Sequence, residues 1–176
     1  WFEENAPQIV RASILGYGST GPRAGLPGYD FLLQAESGLM SITGEADGDP
    51  MKLGVAIVDI GTGMYALSSI LAALQARHRT GKGQYVEVSL YDTGVSLLAN
   101  VAANFLASGN PAGRYGNGHP NIVPYNAYPT RDGMIALSIG NDGQFRTFCE
   151  AVGKPEWADD EKFARNRDRV ENRGAC

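Results

Sequence analysis

Cysteine is nearly absent: Cys149 and Cys176 are the only two, far apart and in no C-x-x-C spacing. That excludes a disulfide framework and a cysteine-built zinc centre, and it makes a reducing, cytoplasmic compartment the default expectation. Histidine is equally scarce, with His78 and His119 alone, so no metal is expected. Long runs of one charge are missing. Fifteen basic residues against nineteen acidic ones give a net charge of −4, and no basic cluster offers a footprint for nucleic acid. Apolar runs are interrupted by Ser, Gln and Arg before they reach membrane-spanning length, so no membrane partner is expected. The opening Trp1-Phe2-Glu3-Glu4 lacks the basic-then-apolar pattern of a secretory leader.

What the chain does have is glycine, 23 residues of it. These concentrate in 16–28, 44–63, 109–118 and 140–143, which read as loops between ordered elements. Residues 9–15 read as a buried strand and 29–39 as a helix. The clearest helix is predicted over 62–79. Met64, Leu67, Leu71 and Leu74 make its apolar stripe, Arg77, His78 and Arg79 suit its C-terminal dipole, and Gly81 stops it. Residues 84–89 alternate like a strand. A further helix is expected over 90–107, loop over 110–130, a strand over 134–139 and a helix over 144–152. The charged segment from Asp159 to Arg169 reads as a solvated face or a frayed tail. Alternating strands and helices make the class α/β, and a change of composition near residue 110 divides the chain into 1–109 and 110–176.

Gly16-Tyr17-Gly18-Ser19-Thr20-Gly21 spells the dinucleotide fingerprint G-x-G-x-x-G behind an apolar run. The fingerprint needs its turn to feed a helix whose N-terminus holds a pyrophosphate. Here Pro22, Gly25, Pro27 and Gly28 follow, and they cannot continue a helix. A loop leaving a buried strand is the better reading.

Other motifs point elsewhere. Asn5-Ala6-Pro7, Ile14-Leu15-Gly16-Tyr17-Gly18, Thr20-Gly21-Pro22 and Gly28-Tyr29-Asp30 are joined by Asp59-Ile60-Gly61-Thr62-Gly63. Arg79-Thr80-Gly81-Lys82-Gly83-Gln84, Val86-Glu87-Val88-Ser89-Leu90 and Gly153-Lys154-Pro155-Glu156-Trp157 follow. Together they resemble the class III CoA-transferase family over nearly the whole chain. The resemblance implies the central portion of that fold: part of a large Rossmann-like domain with the catalytic helix (1–109), then a linker and part of a small α+β domain (110–176). It implies Asp59 as nucleophile, forming an acyl anhydride and then an aspartyl-CoA thioester while coenzyme A passes between carboxylic acids. It also implies a CoA thioester as substrate with no permanently bound cofactor, acyl-CoA and a carboxylic acid as partners, and a homodimer. Tyr29 and Asp30 match an aromatic–acid pair of the family's active sites. Gly116, Asn117, Gly118 and His119 fall where a mobile glycine loop covers the site. Because that glycine run is sparse here, an acyl or dicarboxylic acid other than oxalate or formate is expected. Family members are considerably longer, and the N-terminal segment that carries most of their CoA-binding residues has no match here.

Chemistry is compatible with the assignment. A carboxylate nucleophile divides one exchange into easier steps. Asp59 lies ahead of the predicted helix, where unpaired N–H groups and the positive dipole end keep it ionised. Gly61 leaves room for a substrate. The plain alternatives are that Asp59 merely caps the helix, that Asp30 caps its own helix, and that Tyr29 packs. At the level of function, two alternatives stand beside the transferase. One is a truncated non-catalytic domain acting in assembly. The other is an α-methylacyl-CoA racemase-like enzyme, which the tyrosine at position 29, in place of that branch's catalytic histidine, argues against.

Overall fold

A computed structural model describes residues 1–176, which separate into two compact units, Trp1–Arg114 and Tyr115–Cys176. In the first, a helical turn α1 (Phe2–Asn5) precedes strand β1 (Arg11–Leu15). Helices α2 (Asp30–Glu36), α3 (Leu39–Ile42) and α4 (Ile57–Thr80) follow, then strand β2 (Tyr85–Ser89) and helices α5 (Leu90–Ser96) and α6 (Ala99–Ser108). β1 and β2 pair in parallel, Arg11 opposite Tyr85 and Leu15 opposite Ser89. Parallel neighbours require a long crossover, and α2, α3 and α4 form it. Leu33, Leu39, Val58 and Leu90 make the core, with Tyr17, Ile57, Leu97 and Leu98 against it.

α4 starts five residues earlier than the spacing predicts. Gly61 and Gly63 are poor helix formers and read locally as a boundary, yet both lie inside the helix. Its apolar stripe is also oriented differently from the expectation. Val58, Thr62, Ala66 and Ala73 are the buried side, whereas Met64, Leu67 and Leu71 are 66%, 59% and 56% exposed. Small side chains let α4 approach α5 closely: a Cβ on Gly61 would stand 3.0 Å from Thr93 Cγ2. The 24-residue helix, which contains an 18-residue stretch of mean hydropathy 1.6, is long and apolar enough to cross a membrane by length and composition, contrary to the reading of short interrupted runs. Its buried side nonetheless packs on the sheet and on α5. Its last turn and its Gly81 stop, at φ +70°, are as predicted.

The expected single helix over 90–107 is two helices, broken at Leu97-Leu98, with Ala99 at φ +47°. Apolar periodicity runs straight through the break, so no local signal marks it. The glycine turn after β1 meets no helix until Asp30. Its Ser19 N–H donates to Glu87 Oε1 at 2.7 Å. A carboxylate of the chain itself thus takes the amide that a phosphate would need, which is the physical reason the fingerprint is not a nucleotide site.

In the second unit, β3 (Tyr125–Pro129) and β4 (Met134–Ser138) form an antiparallel hairpin, followed by α7 (Asp142–Ala151), a 3-10 turn at Pro155–Ala158 and α8 (Asn166–Glu171). β3 lies where loop was expected: Tyr125 and Tyr128 are three residues apart and give no period-two pattern, and Pro124 before the strand and Pro129 at its end read as loop. Ile139, Phe145, Cys149 and Ala158 are its core. Burial raises the pKa of the Cys149 thiol. The charged C-terminal segment is not a frayed tail. Arg169 is fully buried. It donates to Val123 O at 2.7 Å, Phe163 O at 2.6 Å and Asp142 Oδ1 at 2.8 Å, and stacks 4.3 Å from the Phe145 ring. Each of its three guanidinium nitrogens makes a hydrogen bond, so burial is tolerated.

Arg169→Met leaves two buried carbonyls without donors, and we expect a loss of about 3 kcal/mol, read by urea denaturation of the purified chain; a change below about 0.5 kcal/mol would refute the role. The Ser19 amide, then the Ser19 and Tyr85 hydroxyls, hold the Glu87 carboxyl below the ordinary carboxylate range. A lowered folded pKa stabilises above the unfolded value and is lost as pH falls through the folded one. Glu87→Gln is therefore expected to flatten the acid arm of the stability profile, measured as midpoint against pH, and to leave the neutral-to-alkaline dependence unchanged.

Candidate active site

The residues expected to act together fall in both units. Tyr29, Asp30, Asp59 and Gly61 belong to the first, Gly116, Asn117, Gly118 and His119 to the second. In the first unit, Asp59 sits in the opening turn of α4, third in the helix after Ala56, Ile57 and Val58. Its side chain is exposed and carries no hydrogen bond or ion pair to the chain.

Asp59 is not the helix cap. Ala56 holds that position and has no capping side chain. The cap comes from another helix: Asp30, first residue of α2, accepts the Val58 N–H through Oδ1 at 2.8 Å. Asp30 does not cap its own helix either, for Tyr29 is the N-cap of α2 and no side chain bonds there. Ile57 donates to Val55 O and Ile60 to Ala56 O. Of the first four amides of α4, only that of Asp59 has no acceptor in the chain. The set of unpaired donors expected at this helix start is thus reduced to one.

Asp30 is held in turn. Its Oδ2 accepts from Gln34 Nε2 at 2.7 Å, an i, i+4 contact along α2. Gln34 is fully buried and also meets the chain that leads into α4, taking the Leu53 N–H at 2.9 Å and giving to Val55 O at 3.3 Å. Sequence reading missed Gln34. A glutamine in an amphipathic helix reads as a solvent-facing residue, and only its burial shows otherwise.

Tyr29 does not pack; it is 78% exposed. Gly61 is spent on the α4–α5 contact rather than on room for a ligand, whereas the space beside Gly63 is open. In the second unit, Gly116 and Asn117 form an exposed turn, with Gly116 at φ +56° and the Gly118 N–H bonded to Tyr115 O at 2.7 Å. His119 Nδ1 accepts the Asn121 N–H at 3.0 Å, and its ring stands 5.3 Å from that of Tyr125.

The first unit is an α/β crossover that presents a free carboxylate on the first turn of its long helix. Comparison with known proteins gives its family. The CoA-transferase family III profile matches residues 2–176, and the chain belongs to that family. It is 51% identical over 164 residues to the succinate–glutarate CoA-transferase of Agrobacterium fabrum, covering 93% of this chain and 41% of the relative. It is 46% identical over 168 residues to the succinyl-CoA:glutarate CoA-transferase of Mus musculus, covering 96% and 38%. The crystal structure of a CAIB/BAIF family protein from Brucella suis superposes with a TM-score of 0.75 at 47% identity, over 98% of this chain and 46% of that one. The chain thus spans about two-fifths of its curated relatives' length, and the fold is a partial class III fold.

Asp30→Ala removes the acceptor for the Val58 amide. We expect a loss of about 1–2 kcal/mol in equilibrium unfolding, with Asp30→Asn, which keeps one acceptor oxygen, losing less; equal stability of all three proteins would show that the cap contributes nothing.

Proposed function

We propose that the chain carries the acyl-transfer centre of an enzyme that moves coenzyme A between carboxylic acids, with Asp59 as the nucleophile. One observation carries the reading. Asp59 stands exposed and unpartnered on a helix turn whose capping is done by Asp30, so its carboxylate is free for chemistry rather than committed to the fold. Family membership and the names of the relatives support the reaction.

The steps balance. An Asp59 oxygen attacks the thioester carbonyl of an acyl-CoA. The C–S bond breaks, leaving a mixed anhydride and CoA thiolate. The thiolate attacks the Asp59 carbonyl carbon and expels the donor carboxylate, which gives an aspartyl-CoA thioester. An acceptor carboxylate attacks that thioester, and the released thiolate takes the acceptor's acyl group, regenerating Asp59. Each addition places negative charge on a carbonyl oxygen. The spare Asp59 amide and the positive end of α4 are suited to stabilise it. Within the same unit as Asp59, the exposed Tyr29 ring is the proposed substrate contact, and no metal or bound cofactor enters. The relatives named for succinate and glutarate favour a dicarboxylic acyl group.

Incubation with succinyl-CoA followed by hydroxylamine should leave a hydroxamate on Asp59, located by peptide mass spectrometry. Asp59→Asn and Asp59→Ala should lose the label, and transfer should fall by at least about 10³-fold. No label at saturating succinyl-CoA, or a label elsewhere, would favour a non-catalytic scaffold.

A further inference from the structure

We infer that Gln34 is a positioning residue for the Asp59 turn: through one buried side-chain amide it sets both the acid that caps α4 and the backbone that enters it. This rests on the reading of Asp59 as nucleophile.

Gln34 can sit in one orientation only. Leu53 presents an N–H and must meet Oε1. The Asp30 carboxylate and the Val55 carbonyl are acceptors and must meet Nε2. Both Nε2 protons and one Oε1 lone pair are therefore used, with no water needed. Residues 53–56 have no strand or helix partner of their own. Besides the local bonds of Ile57 N–H to Val55 O, Ile60 N–H to Ala56 O and Lys52 Nζ to Leu53 O, the hydrogen bonds that tie this stretch to another element are those of Gln34 at Leu53 and Val55 and of Asp30 at Val58. The neighbouring Leu33, also fully buried, packs in one cluster with Val58. One turn of α2 thus holds the start of α4 by apolar contact on one side and by hydrogen bonds on the other.

The donated proton has a second effect. Asp30 Oδ2 receives it while Oδ1 receives that of Val58. With both oxygens engaged, the carboxylate plane cannot rotate, and the direction of the Val58 N–H is fixed with it. Asp59 is the next residue. A displacement of about 1 Å at a reacting group costs on the order of 100-fold in rate, so a loosened clamp should slow the chemistry and leave binding largely intact.

Two variants separate positioning from packing. Gln34→Glu is isosteric and keeps the acceptor for Leu53, but sets a carboxylate oxygen against Asp30. Gln34→Met keeps the volume and removes every bond. The first readout needs no activity: amide hydrogen exchange of peptides covering residues 53–60, in chains checked for folding by thermal melting. We expect exchange there to rise by about tenfold or more in both variants, with residues 64–80 unchanged. Unchanged protection overturns the clamp. The second readout is steady-state CoA transfer, in which kcat should fall about 10- to 100-fold in both variants with KM within about twofold. Loosened amides with wild-type kcat, or a rise in KM alone, overturn the positioning role. An unsubstituted chain that forms no Asp59 adduct refutes the nucleophile instead, and the exchange result still decides the clamp.

Discussion

A single hydrogen bond between two helices organises the first unit. Asp30 opens α2, and its carboxylate closes the exposed N-terminus of α4 by taking the Val58 amide. A helix start leaves several donors without partners, and something must accept from them. In most helices the residue just before the first turn does so. Here that residue is Ala56, which cannot, and the duty passes to a residue 28 positions away. The consequence is chemical as well as structural. An acid on the first turn, Asp59, is released from capping and stays accessible.

The same helix divides its labour by side-chain size. Val58, Thr62, Ala66 and Ala73 face the interior, where Gly61 lets the Thr93 methyl approach. Thr62 Oγ1 has one proton to share between Val58 O at 2.7 Å and Thr93 Oγ1 at 2.9 Å, and Thr93 gives its own to Ser89 O at 3.0 Å. Buried hydroxyls linked in this way are satisfied where α4 and α5 meet. The larger Met64, Leu67 and Leu71 are turned outward. A stripe of large residues identifies an amphipathic helix, but which side meets the core depends on how closely its neighbours approach.

In the second unit a buried cation replaces part of an apolar core. Arg169 gathers the carbonyls of Val123 and Phe163 and the Asp142 carboxylate around one planar group and lays its face on Phe145. Asp142 also receives the Asn166 amide, so the segment leading into the hairpin, α7 and α8 meet at a single charge. Burial of this kind is tolerable because arginine spreads its charge over five donors in a fixed plane.

Local chemistry was enough for some of this. Strand alternation at Tyr85–Ser89, the left-handed Gly81 after Arg77-His78-Arg79, the turn at Asp132-Gly133 and the family motifs around Asp59 depend on residues adjacent in the chain, and all were legible there. The motifs also brought Asp30 and Asp59 forward together, without saying that one caps the helix bearing the other. The start of α4, the burial of Gln34 and Arg169, the exposure of Tyr29 and the orientation of the Met64 stripe were not legible. All but the exposure of Tyr29 are settled by partners far off in sequence: Asp30 for the start of α4, Leu53 for Gln34, Val123 for Arg169 and Thr93 for the side of α4 that is buried. Spacing and propensity reveal which structure a segment can adopt; only folding places a distant acceptor beside an unsatisfied donor, and that placement decided which acid caps the helix and which is left free.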